Sequence, residues 1–194
     1  YPGALVMFRK GFYQLISGHT GTGYQTIYAS QFIHDWNHLA LVGVILAMAL
    51  GGAVCSTTGA IKMLRIGVIF KTLLEDIKRI ILPERAVVVQ RFHHIKEMFL
   101  EDKQARAALL ITLAYLVLYG LGAIVGMFFG YPFLDSLFES TSAAANVGLS
   151  CGITSAGMPA ALKLTYIFQM WAGRLEFMSV FVLIGFFVAA VRGR

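Results

Sequence analysis

Residues 107–129, AALLITLAYLVLYGLGAIVGMFF, are an apolar run of 23 residues without a charge. Coiled as an α-helix, the run reaches about 34 Å and crosses a hydrocarbon core of about 30 Å. The whole chain suits the same solvent: of 194 residues, 58% are hydrophobic and only 13% charged, and the mean hydropathy is +0.72. That composition excludes an ordinary soluble domain. Two cysteines, Cys55 and Cys151, neither in a CxxC pair, argue against a disulfide scaffold or a zinc site.

Two further apolar runs flank this span, and both are flawed near the depth where a membrane helix should be continuous. Leu39 to Phe70 is interrupted by Gly51-Gly52 and then by Cys55-Ser56-Thr57-Thr58-Gly59. The pattern predicts two half-helices around an irregular middle. Ala160 to Val191 carries Gly173-Arg174 and Glu176 in the corresponding place.

The sixteen Lys and Arg outnumber ten Asp and Glu, and ten of those sixteen lie between Lys62 and Arg106. Tyr24 to Leu39 and Leu149 to Leu162 contain none. By the positive-inside bias, Lys62 to Arg106 is cytoplasmic and the other two segments face out. A nucleic-acid partner is not expected, because Glu75, Asp76, Glu84, Glu97, Glu101 and Asp102 interrupt what would need to be a coherent basic face. The first residues lack the zones of a signal peptide, and the chain is expected to be a piece of a longer polypeptide.

Phe12 to Gly18 and Phe133 to Ala144 are apolar but too short to span, and each precedes an outward segment. Non-helical backbone at membrane depth is tolerated only when buried in protein or lining a wet cavity, so both pieces are expected to be re-entrant. They also belong to a repeat. At an offset of 125, Phe12 to Tyr24 superposes on Leu137 to Leu149, matching Ser17 with Ser142 and Gly23 with Gly148. At an offset of 122, Met48-Ala49-Leu50-Gly51 meets Met170-Trp171-Ala172-Gly173. Each unit reads as re-entrant helix, glycine-containing loop, outward turn and broken span.

A short helix that enters a bilayer and returns as extended backbone presents a column of carbonyl oxygens, which replaces the water shell of a monovalent cation. Glycine permits the required backbone angles. Thr20-Gly21-Thr22-Gly23-Tyr24 has this composition, and its order resembles the TVGYG filter of potassium channels. Ala145-Asn146-Val147-Gly148-Leu149 is its partner in the second unit. Neither loop holds a carboxylate, so selectivity rests on carbonyl and side-chain dipoles.

The break from Gly51 to Lys62 gathers small and hydroxylated residues, whose hydroxyls suit the freed amides of a broken membrane helix. A kinked packing helix and a flexible loop across the pore both fit. Arg174 sits at the equivalent point of the second unit, where a charge near midplane costs roughly 2.5–3.5 kcal/mol and usually marks function. Pairing with Glu176 requires a local distortion, since residues two apart on a helix do not face each other. Directed at the aqueous path, the guanidinium raises the barrier to cations until the loop moves.

Gly51-Gly52-Ala53-Val54-Cys55-Ser56-Thr57-Thr58-Gly59-Ala60-Ile61-Lys62 closely resembles the GGxxGSTxGGIK signature of the Trk/Ktr potassium-uptake family, relatives of the HKT transporters. Ser142 to Ser150, followed by Met170 to Glu176, resembles that family's fourth repeat. The resemblance implies an all-α membrane protein of membrane-pore-membrane repeats, with re-entrant pore helices and broken inner helices, here half of a pseudo-fourfold channel. It implies residues 1–71 as the third repeat's pore helix, filter loop and inner helix, 72–106 as a cytoplasmic linker, and 107–194 as the fourth repeat. Gly23 and Gly148 become filter glycines. Thr20, Gly21, Thr22 and Tyr24, with Ala145, Asn146, Val147 and Leu149, complete a filter that binds potassium, the transported ion; no other cofactor is implied. Gly51, Gly52, Ser56, Thr57, Thr58, Gly59 and Lys62 become an intramembrane gate faced by Arg174. The implied setting is the plasma (inner) membrane, with the chain crossing it several times, the linker and C-terminus cytoplasmic, a homodimeric assembly and a cytoplasmic nucleotide-binding regulatory subunit. Cys55 and Ala60 depart from the signature, and two quadrants do not enclose a four-sided pore.

Of the remaining candidates, His93-His94 and the pair His34 and His38 are expected at the surface, and His19 in pore-helix packing rather than on the ion. An intramembrane enzyme using Cys55 or Ser56 lacks a nearby base, so no enzyme is expected. A sodium- or proton-coupled carrier would need an intramembrane carboxylate relay, for which Glu139 and Glu176 are the candidates. A non-conducting membrane interaction subunit is the other alternative.

Overall fold

The computed structural model describes residues 3–26, 31, 38–53, 56, 58–82, 91–94, 96–99 and 102–193. All but the last residue of the sequence's uncharged run lies within α4, Asp102–Phe128, whose 27 residues include an 18-residue stretch of mean hydropathy 2.3, long and apolar enough to cross a membrane. Around it stand α1 (Ala4–Thr20), α2 (His38–Ala49), α3 (Met63–Ile81), α5 (Phe133–Ala144), α6 (Ala160–Arg174) and α7 (Met178–Val191). Helices α6 and α7 bend by 105° at a break that begins after Arg174, and taken as one span they supply a second crossing.

The expected Phe12 to Gly18 helix is longer than its apolar core, because α1 begins at Ala4 and carries Arg9 and Lys10 on exposed positions. Likewise α3 runs through residue 71, and α4 starts five residues before 107, so both ends of the 72–106 stretch are helical. Its middle holds the described strands, β1 (Arg91–His94) and β2 (Lys96–Phe99), an antiparallel pair in register His93 with Glu97. His93 and His94 therefore lie in extended backbone.

Burial departs from that of a water-soluble protein, since polar residues join the apolar core and large apolar ones cover the surface. Gln14 and Ser17 of α1 and Ser136, Glu139, Ser140, Thr141 and Ser142 of α5 are buried, while Leu5, Phe8, Leu110, Phe128, Val182 and Phe186 are exposed. Polar groups turned inward and large apolar side chains turned outward match a hydrocarbon surround, in which backbone and side-chain polar groups must be satisfied internally. Helix α5 occupies the centre, packed on α2, α4 and α6, while α1 lies on α2 and α3 on α4. Small residues bring α4 close: a Cβ on Gly122 would sit 2.3 Å from Ser140 Oγ, and one on Gly126 2.6 Å from Ser136 Oγ. Across that seam the Ser140 hydroxyl donates to Tyr119 O at 2.7 Å, and Gln169 Nε2 donates to Leu118 O at 2.7 Å. Close backbone approach with polar glue is how helices associate without a hydrophobic drive between them.

Candidate functional site

Helices α1 and α5 end in the same way. In α1 the Gly21 N–H donates to Gly18 O and the Thr22 N–H to Ser17 O. In α5 the Asn146 N–H donates to Ala143 O and the Val147 N–H to Ser142 O, so every partner is displaced by 125 residues. Gly21 and Asn146 both take positive φ, at 71° and 56°, and Gly23 and Gly148 do so at 77° and 92°. Each helix thus turns its C-terminal, partially negative end toward the segment that follows it. The two segments meet: a Cβ on Gly23 would lie 1.9 Å from Val147 O and 3.7 Å from Gly148 Cα. Their outer ends are joined by Gln25 Nε2 donating to Ser150 O at 2.8 Å.

Not all ten candidate filter residues keep a free carbonyl. The Ser17 hydroxyl donates to Tyr24 O at 2.8 Å. The Thr58 hydroxyl donates to Thr20 O at 3.0 Å, and the Gly59 N–H donates to Ala145 O at 2.9 Å. Thr20 and Ala145 are equivalent by repeat, so the 51–62 loop bonds to the same carbonyl of both units. The loop is closed at its own base, where the Ile61 N–H donates to Ala49 O at 3.0 Å. Thr57 and Cys55 lie outside the described residues.

The offset of 122 also has a physical cause. A Cβ on Gly51 would stand 2.3 Å from His19 O, and one on Gly173 1.8 Å from Ala144 O. His19 and Ala144 are themselves repeat equivalents, so in each unit the broken span passes against a carbonyl at the end of the short helix. The His19 side chain is exposed. Gly173 O also accepts from Tyr115 Oη at 2.9 Å, tying the α6 end to α4.

Lys62 is buried and pairs with Glu176, which also binds Arg65. The Glu176 carboxylate thereby joins the end of the loop and the start of α3 to the α6–α7 break. Glu176 and Phe177 adopt φ of 54° and 60° there, the distortion that turns the carboxylate across to the other unit. Arg174, the last residue of α6, is exposed.

Gln14 escaped the reading of the sequence, which named its repeat equivalent Glu139 only as a candidate relay carboxylate. Gln14 and Glu139, equivalent by repeat, are buried on the inner faces of α1 and α5. Gln14 Oε1 accepts from the Thr26 N–H at 3.3 Å, and Glu139 Oε1 accepts from the Cys151 N–H at 3.0 Å. Their alignment across the repeat, polar residues inside otherwise short apolar helices, was the available signal. Beside Glu139, a cavity of about 350 Å³ runs along the 146–150 backbone to Lys163 and Tyr166.

Comparison with known proteins decides the family. The family model described as TrkH, a cation transport protein, matches residues 5–187. The chain belongs to the TrkH cation transport family. An uncharacterized cation transporter of Methanocaldococcus jannaschii is 34% identical over 171 residues, covering 88% of this chain and 35% of that protein. The Trk system potassium uptake protein TrkI of Halomonas elongata is 29% identical over 178 residues, covering 89% of this chain and 35% of its own. The crystal structure of the potassium transporter TrkH from Vibrio parahaemolyticus superposes with a TM-score of 0.76 at 22% identity, over 94% of this chain and 38% of that one. The chain spans about a third of the length of these TrkH-family proteins. It is thus a segment-length match to a membrane cation transporter, a class of protein distinct from enzymes.

Proposed function

We propose that this chain forms two of the four quadrants of a Trk-type potassium pathway, as membrane-pore-membrane repeats with segments 20–24 and 145–149 as filter edges. The observation that carries the reading is the loop's double attachment, Thr58 to Thr20 O and Gly59 to Ala145 O, directly beneath both edges. A loop bound there lies across the exit of an ion passing between the edges, and its release opens the path. Gly21, Thr22, Gly23, Asn146, Val147 and Gly148 supply the oxygens for potassium, with two further edges contributed by the rest of a longer polypeptide. Lys62 fixes the gate through Glu176, while Arg174 adds a positive barrier at the same level. The linker is the cytoplasmic contact for a nucleotide-binding regulatory subunit, and the assembly is a homodimer in the plasma membrane.

A carboxylate-relay carrier is the weaker reading. Glu139 accepts hydrogen bonds from backbone and hydroxyl donors, and Glu176 is held by two cations, so both carboxylates are already engaged. The test is potassium flux into liposomes by the natural full-length polypeptide that carries this chain, with sodium flux alongside. Gly23→Ser should abolish potassium preference; absent flux, or flux unaltered by that change, would refute the filter assignment.

A further inference from the structure

Resting on that reading, we infer that Gln14 and Glu139 are the positioning residues that set the filter's spacing and so its ion preference. Each stands one helical face behind the segment that its own helix leads into. Each reaches the backbone N–H twelve residues later, Thr26 for Gln14 and Cys151 for Glu139, on the outward side of the filter edge. The helix, the turn and the edge are thereby closed into a ring whose outer end is fixed by a side chain. Within these rings lie Ser17 and Ser142, whose hydroxyls hold Tyr24 O at 2.8 Å and the Gly148 N–H at 3.2 Å.

The two anchors differ in strength. Gln14 Oε1 also receives the Thr26 hydroxyl at 3.4 Å. Glu139 gathers more: the Ser150 hydroxyl, the Thr154 N–H at 3.4 Å and the Cys151 thiol at 3.7 Å on Oε1, and the Thr154 hydroxyl at 2.8 Å on Oε2. The 145–149 edge is therefore the stiffer, and Ser150, which holds Gln25 through its carbonyl, passes that order to the 20–24 edge. A filter that distinguishes cations by the spacing and field of its dipoles depends on this restraint.

The experiment measures the potassium-to-sodium flux ratio in proteoliposomes of the full-length polypeptide, at matched protein amount and with thermal unfolding recorded for each variant. Gln14→Leu and Glu139→Leu remove the acceptors and should each lower the ratio, by up to about tenfold for Gln14, the scale of a neutral hydrogen bond, and by at least as much for Glu139, which gathers more donors. The conservative exchanges Gln14→Glu and Glu139→Gln retain an acceptor oxygen and should hold the ratio within about threefold. If the Leu variants do not fold, the paired change Ser150→Ala with Thr154→Val strips two hydroxyl donors from Glu139 and should lower the ratio in the same direction. Wild-type flux with ratios unmoved by any of these changes would overturn the inference, whereas absent wild-type potassium flux would sink the functional reading beneath it.

Discussion

Gly173→Ala is the sharpest probe of how the two units are built. The added methyl would begin 1.8 Å from Ala144 O, 2.9 Å from Ala144 C and 3.1 Å from Asn146 Nδ2. Opening the oxygen contact to the about 3.3 Å of a close carbon–oxygen approach requires a displacement of about 1.5 Å. The backbone cannot yield freely, because Gly173 O is held by Tyr115 Oη in a buried hydrogen bond. Overpacking costs about 1–3 kcal/mol, and an orphaned buried polar group adds about 1–3 kcal/mol. A total of about 2–6 kcal/mol, at about 2–4 °C per kcal/mol for a domain of this size, lowers the unfolding midpoint by roughly 4–24 °C. The assay is thermal unfolding of the purified protein in detergent, with Gly120→Ala as the control. A Cβ at Gly120 meets nothing within 4 Å, and alanine is the better helix former, so the control should be neutral or stabilising. Equal midpoints for the two variants would refute the close-approach argument.

Other perturbations test the proposed gate. Glu176→Gln leaves Lys62 and Arg65 without their shared carboxylate; since removing one member of a buried pair costs about 3–5 kcal/mol, a partly exposed one should cost less, and the expected signature is higher basal potassium flux together with a lower unfolding midpoint. Thr58→Val deletes the hydroxyl on Thr20 O at nearly constant shape, and single-channel or flux recordings should show a larger open fraction with unchanged potassium-to-sodium ratio. A changed ratio with an unchanged open fraction would assign Thr58 to the filter instead.

The helices were legible where chemistry changes abruptly along the chain. Helix α5 occupies the very residues marked by the apolar run, because Pro132 precedes it as N-cap and Asn146, at φ 56°, prevents its continuation. The break after Arg174 was visible because a charged pair interrupts apolar sequence. The start of α1 was hidden, since Arg9 and Lys10 are ordinary helix formers on an exposed face and carry no apolar signal. The β1–β2 ribbon was hidden as well: its connection has none of the glycine or asparagine that marks a tight hairpin. The repeat offset pairs Gly23 with Gly148, which share positive φ, and Gly51 with Gly173, which each lie against a carbonyl. Periodicity could not give the Lys62–Glu176 pair, whose members belong to different units, or the reach of Gln14 and Glu139 to backbone that returns beside their own helices. Those contacts depend on how the chain folds back, and local sequence does not encode that path.

The closed base of the 51–62 loop has a mechanical consequence. The Ile61 N–H on Ala49 O ties the end of α2 to the residue just before α3, so the proposed gate would move on a fixed neck while both helices keep their places. Among the described residues, its hold on the two units is the Thr58 hydroxyl on Thr20 O and the Gly59 N–H on Ala145 O. At about 0.5–1.5 kcal/mol each, those two bonds amount to about 1–3 kcal/mol, the same size as a typical coupling energy between a regulatory site and its target. If the loop gates the path as proposed, a hold of that strength is within reach of a single binding event, and lengthening the loop by a residue or two should alter its sweep without shifting either helix.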